Sequence, residues 1–189
     1  MRTIIIHPIF NQACSYSDHY TGEMESIGDE LGRDFVVHCF NGEWMSSYKN
    51  EGLANEDWYG WHADVLAPIS GTVKKVFINP VDNVPGKMTP GRASIIIIET
   101  LDGVNVVLAH IREPKVKEGD IVCQGDVVAK MGNNGYSRHP HIHLGAWQGD
   151  EPLGIEIDKQ LMADLANRVG KKYWLLGTND SEVGSNWGF

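Results

Sequence analysis

Between residues 65 and 144 the chain alternates short apolar runs with turn formers. The runs cover residues 65–67, 72–78, 93–99, 104–109, 121–122, 127–131 and 142–144. β-Branched residues dominate them, and Gly71, Gly103, Gly119, Gly125, Gly132 and Gly135 punctuate them. Runs of that length and content, separated by glycine turns, predict an all-β domain of antiparallel sheets. Gly119-Asp120 and Gly125-Asp126 form two turns between short Val/Ile strands, the layout of a small β-sandwich. The period changes near the end of the chain. Leu161, Met162, Leu165 and Val169 make one helical stripe, which predicts a single C-terminal helix within 158–172, closed by Gly170.

The first 61 residues follow neither period. Turn formers and polar residues surround short apolar pieces such as Phe35-Val36-Val37. Tyr48 to Trp61 is rich in Asn, Glu and aromatic residues and reads as a surface loop or insertion. The expected organisation is one domain over 1–189: an irregular part at 1–61, a β core at 62–150, and a helix with its tail at 151–189. The polar, Gly-rich tail from Gly177 is expected to be loose or pinned by Trp187 and Phe189.

Composition narrows the partners. Hydrophobic residues make up 42% and charged residues 22%, ordinary values for a soluble globular chain. A net charge of −9 argues against nucleic acid or an anionic membrane surface as the main partner. Cys14, Cys39 and Cys123 are odd in number and far apart, so they read as free thiols of a reducing compartment. The apolar run at residues 4–6 is too short for a signal peptide, and no run is long enough to span a membrane. The expected location is cytoplasmic as the chain stands, or exported if a signal was removed.

Chemistry concentrates at His139-Pro140-His141-Ile142-His143. Side chains alternate along a strand, so His141 and His143 share a face and Ile142 and Leu144 take the other. Two imidazoles on one rigid strand face can reach a single zinc ion. A solvated histidine pair without metal is the plain alternative for a bare His-x-His.

The surrounding order of motifs favours the metal. Val107-Leu108-Ala109-His110-Ile111 precedes the two Gly-Asp turns, then come Gly132-Asn133-Asn134-Gly135 and Pro140-His141-Ile142-His143-Leu144. In that order and spacing, residues 62–147 resemble the lysostaphin-type zinc metallopeptidases. The resemblance implies a duplicated hybrid motif of antiparallel sheets around a narrow groove. It implies that His143 binds zinc, while His110 and His141 stand beside the metal as catalytic residues.

The family's simple His-x-Gly-(Ile/Val)-Asp motif is absent. Val65 to Val73 resembles the segment that follows the ligand Asp, which places that Asp upstream. Gly32-Arg33-Asp34-Phe35-Val36-Val37 resembles the variant with a long insertion after the Asp, here residues 38–61. Asp34 is therefore preferred to Asp64, and His19 to His7 or His62, as the other two ligands. His38 and His139 are expected outside the ligand set. Two histidines, a carboxylate and a water would make an open, catalytic zinc site. Such a site acidifies its water and polarises a peptide carbonyl, with His110 and His141 as general base and oxyanion donor in an order left open. The implied substrate is a short, glycine-rich or D-amino-acid-containing peptide such as a peptidoglycan cross-bridge, selected by a loop carrying Trp44, Trp58 and Trp61. Two other readings remain: a binding or regulatory module of the same fold, and a phosphotransfer or carrier domain built on the hybrid motif.

Overall fold

Each apolar run folds as a strand in the computed structural model, which describes residues 2–19, 29–169 and 175–177. In chain order the strands are β1 (Thr3–Ile6), β2 (Cys14–Asp18), β3 (Arg33–Val37), β4 (Cys39–Phe40), β5 (Met45–Ser46), β6 (Asp64–Leu66), β7 (Gly71–Phe77) and β8 (Ile95–Glu99). They continue as β9 (Val104–Ala109), β10 (Ile111–Arg112), β11 (Ile121–Val122), β12 (Val127–Met131), β13 (Ile142–Gln148), β14 (Glu151–Pro152), β15 (Gly154–Ile157) and β16 (Leu175–Gly177). One helix, α1 (Lys159–Val169), precedes β16.

The main sheet runs β11-β7-β8-β9-β13-β3-β2-β16, with β14 beside β13. Its pairs are antiparallel except β16 against β2. A smaller antiparallel sheet, β10-β12-β6, supplies the second layer, and β1 pairs with β15 in parallel. One buried cluster joins the layers. Val73, Ile96, Ile98, Val106, Leu108, Phe35, Ile142 and Leu144 come from the main sheet, and Val65, Val128 and Met131 from the small one. Removing this apolar surface from water is the main force that holds the sheets together.

Burial alternates along the central strands. On β9, Val104, Val106 and Leu108 face the core, and on β8 Ile96 and Ile98 do so. On β3 and β13, Phe35, Ile142 and Leu144 face inward, so Asp34 and His143 face the opposite side of the sheet.

The expectation that residues 1–61 are irregular is corrected here. β1, β2 and β3 are regular strands, and β2 and β3 extend the main sheet beyond β13. Cys14 and Tyr16 alternate with Ser15 and Ser17, and only the first pair is buried in the core. That alternation is five residues long and polar at every second place, too little to outweigh the surrounding turn formers. Its stability comes from pairing with distant strands. Residues 38–61 hold the β4–β5 hairpin and a 3₁₀ turn at Asn55–Asp57.

α1 lies where the apolar stripe predicted it. Asp158 Oδ1 accepts the N–H groups of Gln160 and Leu161 at 2.9 Å and so caps the first turn. Leu165 anchors the helix at 1% exposure. Gly170, Trp187 and Phe189 lie outside the described residues. Among the described residues no helix is long and apolar enough to cross a membrane.

Candidate metal centre and active site

Three neighbouring strands bring His19, Asp34 and His143 together. His143 on β13 and Asp34 on β3 are direct cross-strand partners, and Asp34 lies opposite Ser17 on β2, two residues before His19. His143 Nδ1 is 3.0 Å from Asp34 Oδ1, and His19 Nε2 is 3.9 Å from the same oxygen. The rings of His19 and His143 stack with centroids 4.9 Å apart. One ligand atom from each residue falls within 4.8 Å of the others, and among the described residues this is the grouping able to hold a metal ion. Zinc bonds of ~2.1 Å in a tetrahedron place ligand atoms about 3.4 Å apart, a spacing that 3.0 and 3.9 Å bracket. The two-nitrogen, one-oxygen donor set therefore fits zinc with a position left open.

The electrostatics of this group favour a bound proton. Burial works against the ionised form of Asp34, but contacts from His143 and His19 outweigh it and hold the carboxyl well below the usual carboxylate range. Burial also works against charge on His143, yet Asp29 and Asp34 outweigh it and bring its pKa up to about 9. The Asp34 carboxylate raises His19 as well, against burial.

His110 and His141 stand beside this group, with ring centroids 4.5 Å apart. His110 follows the last residue of β9 with φ at 64°, a left-handed conformation rare outside glycine. Such strain persists only where surroundings fix it, and here the Asn134 carbonyl accepts from His110 Nδ1 at 2.7 Å. Asn134 is itself held: its side chain accepts from Ser94 N–H at 2.7 Å and donates to the Ile111 carbonyl at 3.0 Å. His141 Nδ1 donates to the His139 carbonyl at 2.9 Å, and Ser137 Oγ lies 3.2 Å from the same nitrogen. His141 Nε2 points toward Asp34, 3.6 Å from Oδ1. Burial, then neighbouring His141, pushes His110 down to about 3. Burial lowers His141 too, with Asp34 opposing. Both rings are neutral near pH 7, and both keep Nε2 free of the backbone.

The other candidates are engaged elsewhere. His7 Nδ1 contacts the Pro8 carbonyl at 2.6 Å, and its ring packs on Gly125. His62 pairs with Glu113 at 3.2 Å, and Asp64 pairs with Lys130 at 2.7 Å. Arg33 pairs with Asp18 rather than Asp34. His38 Nε2 bonds Ser15 Oγ at 2.7 Å. His139 stacks on Trp58 with the ring planes 3° apart and centroids 4.6 Å apart. Trp61 instead lies under the Arg112 guanidinium, and Trp44 is exposed. Asn55 ties the 38–61 segment to the Gly-Asn-Asn-Gly turn, donating to the Asn83 carbonyl and accepting from Asn133, each at 2.8 Å. A groove of 310 Å³ opens beside His139, walled by Tyr48, Leu53, Trp58 and Pro85 and edged by Arg138.

One residue of the site escaped the sequence reading. Asp29 Oδ2 lies 2.7 Å from His143 Nε2, and the Asp29 carbonyl accepts from His19 Nδ1 at 2.9 Å. Asp29, beside Glu30 and five positions before Asp34, carries no motif, and nothing in the sequence singles it out.

Comparison with known proteins places residues 59–154 in a match to Peptidase family M23. His110, His141 and His143 lie inside that stretch, and His19 and Asp34 precede it. Stage II sporulation protein Q of Bacillus subtilis (strain 168) is 34% identical over 98 residues, 51% of this chain and 30% of that protein. This chain thus matches under a third of that relative's length. Among solved structures, the SpoIIQ-SpoIIIAH pore forming complex is similar with a TM-score of 0.49 and 23% identity, over 81% of this chain and 88% of that one. The catalytic domain of lysostaphin from Staphylococcus simulans is similar with a TM-score of 0.41 and 23% identity, over 62% and 66%.

Proposed function

The chain belongs to peptidase family M23, and from that premise we propose that it is a zinc-dependent endopeptidase acting on short peptide bonds such as those of peptidoglycan cross-bridges. The convergence of His19 Nε2, Asp34 Oδ1 and His143 Nδ1 beside two buried neutral histidines carries the reading. His19, Asp34 and His143 would hold the metal. Zinc in that position supplies a Lewis acid and an acidified water at neutral pH.

The chain's own groups complete the chemistry. His110 and His141 each commit Nδ1 to a backbone carbonyl, which leaves an acceptor lone pair on Nε2. One of them takes a proton from the attacking water and returns it to the leaving amine. The other takes a proton from solvent on Nε2, donates a hydrogen bond as the imidazolium to the oxyanion of the tetrahedral intermediate, and releases that proton to solvent when the intermediate collapses. The Asn134 network holds His110 still while this happens, and the Trp58 face holds His139 beside the reacting strand. The 310 Å³ groove supports a peptide substrate, with its apolar wall for side chains and Arg138 at the rim.

The test is metal-dependent hydrolysis. The zinc-loaded protein is offered glycine-rich peptides and peptidoglycan fragments, then treated with a chelator and resupplied with zinc. Cleavage lost on chelation and restored by zinc is the expected result. Bound zinc with no cleavage across a broad panel would favour a binding module of the same fold.

A further inference from the structure

Asp29 touches the outer nitrogens of both histidines assigned to the metal. Its carbonyl accepts from His19 Nδ1 at 2.9 Å, and its Oδ2 lies 2.7 Å from His143 Nε2. The second contact is close but out of line with the ring N–H, so the Asp29 carboxylate acts on that N–H through its charge. The opposite nitrogens, His19 Nε2 and His143 Nδ1, face Asp34. The same Asp29 carbonyl accepts from Gly32 N–H at 3.1 Å, in a turn that returns the chain to β3.

The carboxylate occupies a space that two glycines leave. A Cβ on Gly145 would overlap Asp29 Oδ1. A Cβ on Gly32 would come within 2.9 Å of Asp29 Oδ1 and 2.6 Å of His143 Cε1. The side chain is only 20% exposed there. A side chain at either position would require the carboxylate or the ring to shift.

A neutral imidazole has one N–H and one lone pair, and the partner of the first decides where the second points. We infer that Asp29 is a positioning residue of the metal centre: its carbonyl and carboxylate hold His19 and His143 as the tautomers that offer Nε2 and Nδ1, respectively, to zinc. This rests on the zinc reading above. Asp29 lies in the segment between His19 and Asp34, so the stretch that separates two ligands in sequence also supplies the residue that orients the two histidines.

Zinc affinity, measured by competition with a chromogenic chelator, tests the inference together with the visible spectrum of the cobalt-substituted protein. Asp29→Ala keeps the carbonyl contact to His19 and removes the carboxylate. It should weaken zinc binding about 10- to 100-fold, the usual loss for an outer partner of a ligand histidine, and shift the cobalt absorption bands. Gly145→Ala should do the same by displacing the carboxylate, and the double variant should be no weaker than Asp29→Ala alone. Parental affinity and an unchanged cobalt spectrum in Asp29→Ala would overturn the inference and leave the zinc reading standing. Full additivity of the two substitutions would overturn it as well. A parent protein that takes up no zinc would bring down the zinc reading and this inference together.

Discussion

His143 and Asp34 are direct cross-strand partners on β13 and β3, 109 residues apart in the chain and 3.0 Å apart at Nδ1 and Oδ1. The register of one strand pair, rather than a short motif, brings these two groups together. A slip of one residue would turn His143 into the core and Leu144 to the outer face. Leu144 and Ile142 are fully buried on the other side, so hydrophobic packing of β13 also enforces the polar geometry.

The two histidines outside the ligand set should separate metal binding from chemistry. His110→Ala and His141→Ala should retain zinc and the β fold. Each should lower hydrolysis of a glycine-rich peptide by about two to four orders of magnitude, the usual loss of a positioned acid–base or oxyanion group. Metal analysis and steady-state kinetics on the same preparations check this. Loss of zinc from either variant would make that histidine a ligand.

Asn134 should matter for stability as well as for activity. Its side chain satisfies the Ser94 N–H and the Ile111 carbonyl, both inside the protein. Asn134→Ala leaves two backbone groups unpaired, at a cost on the order of 2–4 kcal/mol. Urea denaturation should show the midpoint falling with little change in slope. Zinc should still bind, and peptide hydrolysis should fall as the anchor of His110 loosens.

Metal binding should be linked to protons. Asp29 and Asp34 outweigh burial and raise His143 from its ordinary 6.5 to about 9. A raised value means that the folded chain holds this proton more tightly than the unfolded chain does. Its stabilising contribution is complete below pH 6.5 and is lost as pH rises through about 9. Zinc competes with that proton for Nδ1. Affinity should therefore climb from pH 6.5 to about 9, and calorimetry at pH 7 in buffers of different ionisation heat should detect proton release. Affinity independent of pH across that window would remove His143 from the ligand set.

Much of this is legible in the sequence. The strands from β6 to β13 announce themselves because each buries one face and is bounded by glycine turns. His141 and His143 share a face by the period of a strand, and their motif order placed His110 beside them. β2 and β3 were harder to read, since each buries only two residues on its core face, with Ser15, Ser17 and Asp34 on the other, and turn formers surround both. Asp29 was invisible because its role exists only after Gly145 of β13 lies over it. The stack of Trp58 on His139 was equally hidden, as three tryptophans share one polar segment and only folding picks one.

Zinc content of the purified protein tests the central claim most directly, measured on the parent and on His143→Ala, Asp34→Ala and Asp64→Ala. The parent should carry close to one zinc per chain. His143→Ala and Asp34→Ala should lose it, since removing one of three protein ligands from an open site removes most of its affinity. Asp64→Ala should keep it, because that carboxylate is paired with Lys130. A parent without zinc, or stoichiometric zinc that survives His143→Ala, would contradict the account.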